Sequence, residues 1–313
     1  MITVTELAGF LGLSKERAKQ LVNEALQQDP SLDIQTGTLW KIGPSAVRKF
    51  FADRGKRFSQ RKIVTFAALK GGIGKTTVST NVAVRAAALG AKVLLIDLDP
   101  EACATNGLIS KSVDQTNAVI FHDLLKDEKS DIKKAIVPSN YPGLDLIPSS
   151  LRNHHMEKLV GNQNPKRIVR DRLEPLDYNL ILLELPPSFT TVTGSAYLAA
   201  DLIILPCTPS VYSLESVALT IEAIDELADE FECGERNYKV LMNQYNSSRV
   251  ASQEILQSLL DTYKSKVFPF FIKDSADIAN ATNAGRTIFD TKSSKAIRED
   301  FHELTVQVCG VEG

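Results

Sequence analysis

From residue 63 onward, short apolar runs alternate with stretches whose apolar residues recur at helical spacing. This is the pattern of βαβ units, in which helices cover both faces of a parallel sheet. The runs expected as strands are Ile63–Leu69, Lys92–Leu98, Leu144–Ile147, Leu180–Leu185, Leu202–Pro206 and Val240–Met242, with a weaker one near Val267. Several are apolar at consecutive positions, as strands buried on both faces should be. Helices are expected over Thr76–Leu89, about Leu214–Phe231 and Ser252–Lys264. A last helix, about Ser293 to Val308, puts Ile297, Phe301, Leu304 and Val308 on one stripe, which suits packing against the sheet.

The first 51 residues read differently. Thr3 with Glu6 three positions on fits a capping box, opening a short helix through Leu7, Phe10 and Leu11. Gly12-Leu13-Ser14 turns the chain, and Ser14 caps a second helix from about Lys15 to Leu26 with Ala18, Leu21, Val22 and Ala25 inward. That is a helix-turn-helix order, leaving Lys15, Arg17, Lys19, Gln20 and Asn23 exposed to reach phosphates and base edges. A hairpin follows, Leu32–Ile34, a turn at Thr36-Gly37, then Leu39–Ile42 with Lys41 on its second arm. Pro44 opens a helix carrying Val47, Phe50 and Phe51. The order resembles the small winged helices of excisionase-type and MerR-type proteins. Residues 52–62 (ADRGKRFSQRK) read as a basic linker, solvated or following a DNA backbone. The domains expected are 1–51, a DNA-binding module; 52–62, a linker; and 63–313, the α/β domain.

Charge sharpens that division. The chain of 313 residues has a net charge of −2, but residues 1–62 carry +5 and the remainder −7. A small basic segment on a larger acidic one suggests an appended nucleic-acid-binding module. With 43% apolar and 24% charged residues the composition is that of an ordinary globular protein. No apolar run approaches the roughly 20 residues of a membrane span, and the first residues lack the basic start and apolar core of a secretory signal. The expected compartment is the cytoplasm. Cys103, Cys207, Cys233 and Cys309 are far apart without metal-ligand spacing, and buried free thiols are expected. His154-His155 point apart on a helix, which argues against a metal pair.

Candidate chemistry concentrates at Lys70-Gly71-Gly72-Ile73-Gly74-Lys75-Thr76-Thr77, between the first strand and helix of the α/β region. Glycines let successive backbone N–H groups face inward, and the helix N-terminus adds its positive dipole end. Lys75 is placed to neutralise outer phosphates, and the Thr76 hydroxyl to complete a Mg²⁺ shell. The fold class expected is therefore α/β, a P-loop NTPase with a doubly wound, mostly parallel sheet and a small N-terminal winged-helix domain. Two departures stand out: Leu69 occupies the position of the motif's first glycine, and Lys70 lies inside the loop. Two strand ends carry acids, Asp97-Leu98-Asp99-Pro100 and Glu184-Leu185-Pro186-Pro187. Ligands of open parallel sheets sit at these carboxyl ends.

The loop with Lys70, the Asp97-x-Asp99-Pro100 turn and the Glu184-x-Pro186-Pro187 turn resemble the deviant Walker A ATPases of the ParA/MinD group. The segment Leu202–Pro209 with Ser213-Leu214-Glu215-Ser216, and the run from Ile272 through Ala281, Gly285-Arg286 and Lys292–Arg298, are similar to the ParA branch. The resemblance implies ATP and Mg²⁺ as cofactors. It gives Lys75 the β- and γ-phosphates and Lys70 the partner subunit's ATP, in trans like an arginine finger. Asp99 takes the attacking water, with Asp97 as metal shell or support. Glu184 stands where the family usually has an Asp binding Mg²⁺ through water, its carboxylate moved by about 1.5 Å, one C–C bond. That either alters metal affinity or hydrolysis, or is absorbed by an intervening water. Asn243 and the Ile272–Ser275 region are the adenine candidates. Lys273-Asp274 replace a common Pro-Arg and Asp277 a basic residue, leaving Arg249, Lys273, Arg286, Lys292, Lys295 and Arg298 as contributors to non-specific DNA contact.

The leading expectation is a DNA-partition ATPase of plasmid, phage or chromosome. It would be a homodimer on ATP binding, associated with the nucleoid, triggered by a centromere-binding ParB-type partner and able to repress its own operon. A MinD-like membrane-positioning ATPase requires a basic amphipathic C-terminal helix, which Thr305–Gly313 is not, so no stable membrane association is expected. A metabolic relative such as an amidoligase, or a reductase with cluster cysteines, is a third reading. An ATP-switched transcriptional regulator is a fourth, compatible with the first.

Overall fold

An eight-stranded sheet frames the residues described in this computed structural model, which are 1–58, 61–127, 129–161 and 163–312. The chain opens with β1 (Ile2–Thr3), α1 (Val4–Leu11), α2 (Lys15–Gln28), β2 (Ile34–Gln35), β3 (Lys41–Ile42), α3 (Pro44–Ala52) and β4 (Arg57–Phe58). It continues through β5 (Lys62–Phe66), α4 (Lys75–Ala88), β6 (Val93–Asp97), α5 (Cys103–Leu108), α6 (Phe121–Leu125), β7 (Val137–Pro138), β8 (Leu144–Ile147) and α7 (Met156–Val160). Then come α8 (Pro165–Ile168), α9 (Arg170–Leu173), β9 (Leu180–Glu184), α10 (Thr191–Ala199), β10 (Leu202–Cys207) and α11 (Val211–Glu230). The last elements are β11 (Tyr238–Tyr245), α12 (Val250–Tyr263), β12 (Val267–Lys273), α13 (Ala276–Asn283), α14 (Lys295–Cys309) and β13 (Val311–Glu312).

The strand order is β12-β11-β10-β5-β9-β6-β8-β7, and every pairing is parallel except β7 with β8. The α/β class expected from the alternation is the class found. Strands β5, β6, β9 and β10 are almost wholly buried, because helices cover both faces. On one face α4 and α14 pack through Val82, Ala86, Ile297, Phe301, Leu304 and Val308. The stripe expected on the last helix is thus core. The other face is closed by residues such as Tyr197, Ile224 and Leu259 of α10, α11 and α12.

β5 stops at Phe66, three residues before the end expected from its apolar run, and Ala67-Ala68-Leu69 turn toward the loop. Ala67 still donates its N–H to the Ile204 carbonyl of β10 at 2.9 Å, and Ala67 and Ala68 are apolar because they are buried. β1 and β7 escape sequence reading because two residues cannot show alternation. The cysteine expectation holds in part: Cys207 and Cys309 are buried, whereas Cys103 is exposed and Cys233 half-buried. His154 and His155 are exposed, and among the described residues no cluster of His, Cys, Asp or Glu suits a metal ion.

The first 52 residues make α1 and α2 joined by a left-handed Gly12, a three-stranded antiparallel sheet in the order β1-β3-β2, and α3. The Thr3–Glu6 capping box forms in both directions, and the Ser14 hydroxyl accepts from Arg17 N at 3.1 Å. This core, with Leu7, Val22, Val47 and Phe50, extends onto Ala88 and Leu89 at the end of α4. Glu6 does a second job, pairing at 2.9 Å with the buried Arg85 of α4. The Arg85 guanidinium also stacks on Phe289 and meets His302 of α14, whose ring packs edge-on against Phe10. Burial and Arg85 push His302 down to about 4, so it is neutral.

Residues 52–62 are not a free tether. Arg57-Phe58 pair antiparallel with Val311-Glu312, Arg61 donates to the carbonyls of Glu174 and Leu176, and Lys62 opens β5. Ser59 and Gln60 of the expected linker lie outside the described residues. Arg48 adds a bond to the Gly90 carbonyl at 2.8 Å. Glu6→Ala removes both a helix cap and the partner of a buried guanidinium. The expected cost is about 2–3 kcal/mol in urea unfolding. A loss below about 0.5 kcal/mol, the range of exposed pairs, would contradict this docking.

Candidate functional site

The loop lies after the central strand β5, at the carboxyl end of the sheet. Gly72 (φ +74°) and Gly74 (φ +88°) hold left-handed conformations that other residues adopt at a cost. Gly74 has a second reason: a Cβ there would come 2.5 Å from Asn243 Nδ2. Among the described residues, no hydrogen-bond acceptor serves the backbone N–H groups from Gly71 to Thr77. A row of unpaired N–H groups at a helix start is an anion cradle. Lys75 is buried beneath it, and burial lowers its pKa while Glu184 and Asp99 pull it back up.

Two carboxylates underlie the cradle. Asp97 and Glu184 are register partners on β6 and β9, and both side chains are buried. One oxygen of Asp97 accepts from both the N–H (2.8 Å) and hydroxyl (2.7 Å) of Thr105, and the other from Asp99 N at 3.1 Å. Asp97 is thereby committed to shaping the Asp97–Thr105 turn, and this favours support over metal ligation. Glu184 Oε1 accepts from the Thr76 hydroxyl at 2.6 Å, while Oε2 has no partner among the described residues. Burial raises both acids to about 7; hydrogen bonds from Thr105 and the Asp99 amide to Asp97, and from Thr76 to Glu184, act against this, while the charge of Asp99 adds to the Asp97 shift and that of Asp97 to the Glu184 shift. Asp99 is half-buried at the rim, with one oxygen capping Glu101 N at 3.0 Å.

Other expected site residues divide. Thr76 and Thr77 sit half-buried at the start of α4, and Ile73 is buried. Lys70 reaches the loop after β10, its Nζ 3.4 Å from Ser210 Oγ and 5.7 Å from the Tyr212 ring centroid. Asn243 does not present its amide to a base: Nδ2 donates to the Ile73 carbonyl at 2.8 Å, and Oδ1 accepts from Gln244 N. It braces the loop from β11. Ile272 is fully buried in the core beside Ala281 and Phe301, so its side chain offers no adenine contact. Sequence reading missed Thr105, Ser149 and Asn153. Ser149 donates its hydroxyl to the Asp99 carbonyl at 2.6 Å and its N–H to Thr105, and Asn153 donates to Ser149. Small polar residues in unmarked loops carry no motif, so nothing in the chain pointed to them.

The DNA candidates lie elsewhere. Lys15, Arg17, Lys19, Gln20, Asn23 and Lys41 are all exposed on α2 and β3. Gln20 bonds Glu24, Arg17 stands 3.6 Å from Glu24, and Lys19 lies over Trp40. Across the molecule Arg249 pairs with Asp274, Lys273 with Asp300 and Lys295 with Glu299, while Arg286, Lys292 and Arg298 are exposed.

The residues fit a Mg²⁺-bound nucleoside triphosphate. The N–H cradle and Lys75 suit phosphates, and the Thr76 hydroxyl with the orphaned Glu184 oxygen suits a hard cation. Mg²⁺ supplies charge neutralisation between phosphate oxygens and so needs few protein ligands, consistent with the absence of a dedicated cluster among the described residues. Gly74→Ala should lower nucleotide affinity at least about tenfold in a fluorescent-nucleotide titration, since both its φ and Asn243 oppose a Cβ. The acids give a pH signature. Their folded-state pKa values lie above the unfolded ones of 3.8 and 4.5, so the folded state holds extra protons between about pH 4 and 7. Ligand-free stability should fall as pH rises through that window. Glu184→Gln should flatten the fall in thermal melts, and an unchanged slope would contradict the assignment.

Comparison with known proteins agrees with this geometry. Residues 61–240 match the AAA domain family. The chain is 29% identical over 302 residues to the cell division protein PomZ of Myxococcus xanthus, covering 96% of this chain and 90% of that one. It is 30% identical over 229 residues to the chromosome-partitioning ATPase Soj of Thermus thermophilus, covering 72% and 86%. Among solved structures, an ATP complex of Cyanothece McdA superposes with TM-score 0.71 at 19% identity over 82% of this chain and 98% of that one. A putative plasmid partition protein of Borrelia burgdorferi bound to AMPPNP gives 0.66 at 24% over 80% and 98%. The chain belongs to this AAA domain family, as an ATPase of the ParA, Soj and MinD type.

Proposed function

We propose that this ATPase positions or partitions DNA, using ATP and Mg²⁺ to close a homodimer across the nucleotide site. The observation that carries the reading is the placement of Lys70. A lysine inside a phosphate loop that reaches Ser210 and the exposed Tyr212 is available to a nucleotide on a facing subunit. The face around it suits such closure. Leu151, Val211, Tyr212 and Val250 are exposed and follow the carboxyl ends of β8, β10 and β11, the end of the sheet that carries the loop. Such an apolar rim is costly in water unless a partner covers it. In the closed pair Lys75 and the loop N–H groups hold the phosphates, Thr76 and Glu184 face the metal, and Asp99 orients the attacking water.

DNA contact is assigned first to the N-terminal unit, read as a winged helix with α2 as its recognition helix. Its exposed cations outnumber its acids, whereas Arg249, Lys273 and Lys295 are each engaged by a carboxylate. Arg286, Lys292 and Arg298 are a second, weaker surface. The names of the relatives support a partition or positioning role: Soj is described as a chromosome-partitioning ATPase and the Borrelia protein as a putative plasmid partition protein. A centromere-binding ParB-type partner then stimulates hydrolysis and release. A membrane-positioning role is disfavoured because the apolar stripe of α14 is core, and no described helix is long and apolar enough to cross a membrane.

Retention of the full chain on non-specific DNA should be strongest with ATP and weak with ADP or without nucleotide. Equal retention in all three states would remove the ATP-gated reading. Operator-selective binding indifferent to nucleotide would favour a transcriptional regulator. Replacing Lys15 and Lys19 together by Ala should reduce the salt slope of DNA binding by about 2, one phosphate contact each. Lys70→Ala should retain ATP binding but lose ATP-dependent dimers in sedimentation; persistent dimers would refute its action in trans.

A further inference from the structure

Glu184 is longer by one methylene than the aspartate expected at its place, and its geometry shows where that length goes. The backbone cannot shift to absorb it. Glu184 is paired with Phe66 on one side and Asp97 on the other, and its carbonyl accepts from Leu98 N at 2.9 Å. The side chain is buried and extends to the start of α4, where Oε1 meets the Thr76 hydroxyl at 2.6 Å. Oε2 is buried without a partner among the described residues. An orphaned carboxylate oxygen in such a position costs free energy unless a ligand completes it.

We propose that Glu184 coordinates the nucleotide's divalent cation directly, taking the place of a water. This rests on the ATPase reading of the site and goes further by fixing how the metal is held. Distances support it. The hydrogen bond from the Thr76 hydroxyl fixes Oε1 at 2.6 Å and so keeps the unpartnered Oε2 of the same carboxylate beside that hydroxyl, and adjacent ligands of an octahedral ion bound at about 2.1 Å stand about 3.0 Å apart. A carboxylate one C–C bond shorter would stop about 4 Å from Thr76, the gap that a bridging water fills. Here that gap is closed. Asp97 is the less available acid, since Thr105 and Asp99 already make three hydrogen bonds to its oxygens.

The chemical consequence is metal preference. Mg²⁺ gives up its waters reluctantly and demands near-ideal geometry. A site that replaces a water by a second protein oxygen shifts selectivity toward Mn²⁺, which is at home with carboxylate ligands. Shortening residue 184 restores the water and relaxes the preference.

The test uses the full chain with Mn²⁺ and ADP, and reads water ligands from broadening of the Mn²⁺ EPR signal in ¹⁷O-enriched water. Wild type should hold one water fewer than Glu184→Asp, and its preference for Mn²⁺ over Mg²⁺ should exceed the variant's several-fold in competition titrations. Equal water counts overturn direct coordination. Wild type alone also decides the matter: carboxyl-¹³C glutamate should give strong electron–nuclear coupling to Mn²⁺, and weak coupling only would overturn the proposal even if the variant misfolds. Absence of any nucleotide-dependent Mn²⁺ signal from wild type overturns the metal site itself, and the coordination mode with it.

Discussion

Asp97 and Glu184 end adjacent strands at one register position, so two carboxylates are held side by side below the surface. Burial disfavours their charge, and the charge of Asp97 further disfavours that of Glu184. Much of the surrounding structure answers that problem. Thr105 and the Asp99 amide take up Asp97, Thr76 takes one oxygen of Glu184, and the charge of Lys75 is favoured by Glu184 and Asp99. What remains unanswered is one oxygen of Glu184 and a row of loop N–H groups. Together they want a cation and an anion, which a metal-bound triphosphate supplies at once.

The helix that begins at this loop also ends in another core. Ala88 and Leu89 are shared with the N-terminal unit, and Arg85 sits between Glu6, His302 and Phe289. The first 52 residues are thus seated on α4 and α14 instead of hanging from a linker. Breaking the Glu6–Arg85 contact leaves a buried guanidinium exposed to an apolar surround, the costly half of a broken pair. The core under the basic surface of α2 is therefore continuous with the helix that starts at the nucleotide loop.

The large elements were legible in the chain because long buried strands and amphipathic helices repeat one physical demand many times. The capping box at Thr3 and Glu6 and the cap at Ser14 were legible for a local reason: their bonds close within three residues. Asp97, Asp99, Glu184 and the loop announced themselves by position at strand ends. The bond from Asn243 to the loop and the burial of Ile272 were not legible in the chain, because their environments depend on partners far away in sequence. Ile73 lies 170 residues from Asn243, and no local pattern encodes that pairing. The same reason hid Thr105, Ser149 and Asn153, and the pairing of Arg57-Phe58 with Val311-Glu312 that ties down the presumed linker.

The central claim is that the cradle, Lys75 and the buried carboxylates form one metal-dependent ATP site. Calorimetric titration of ATP into the full chain, with Mg²⁺ and then with EDTA, tests it most directly. One nucleotide should bind per chain, with affinity falling at least about tenfold, or 1.4 kcal/mol, when the metal is removed. Absence of binding, or binding equally tight without metal, would contradict it.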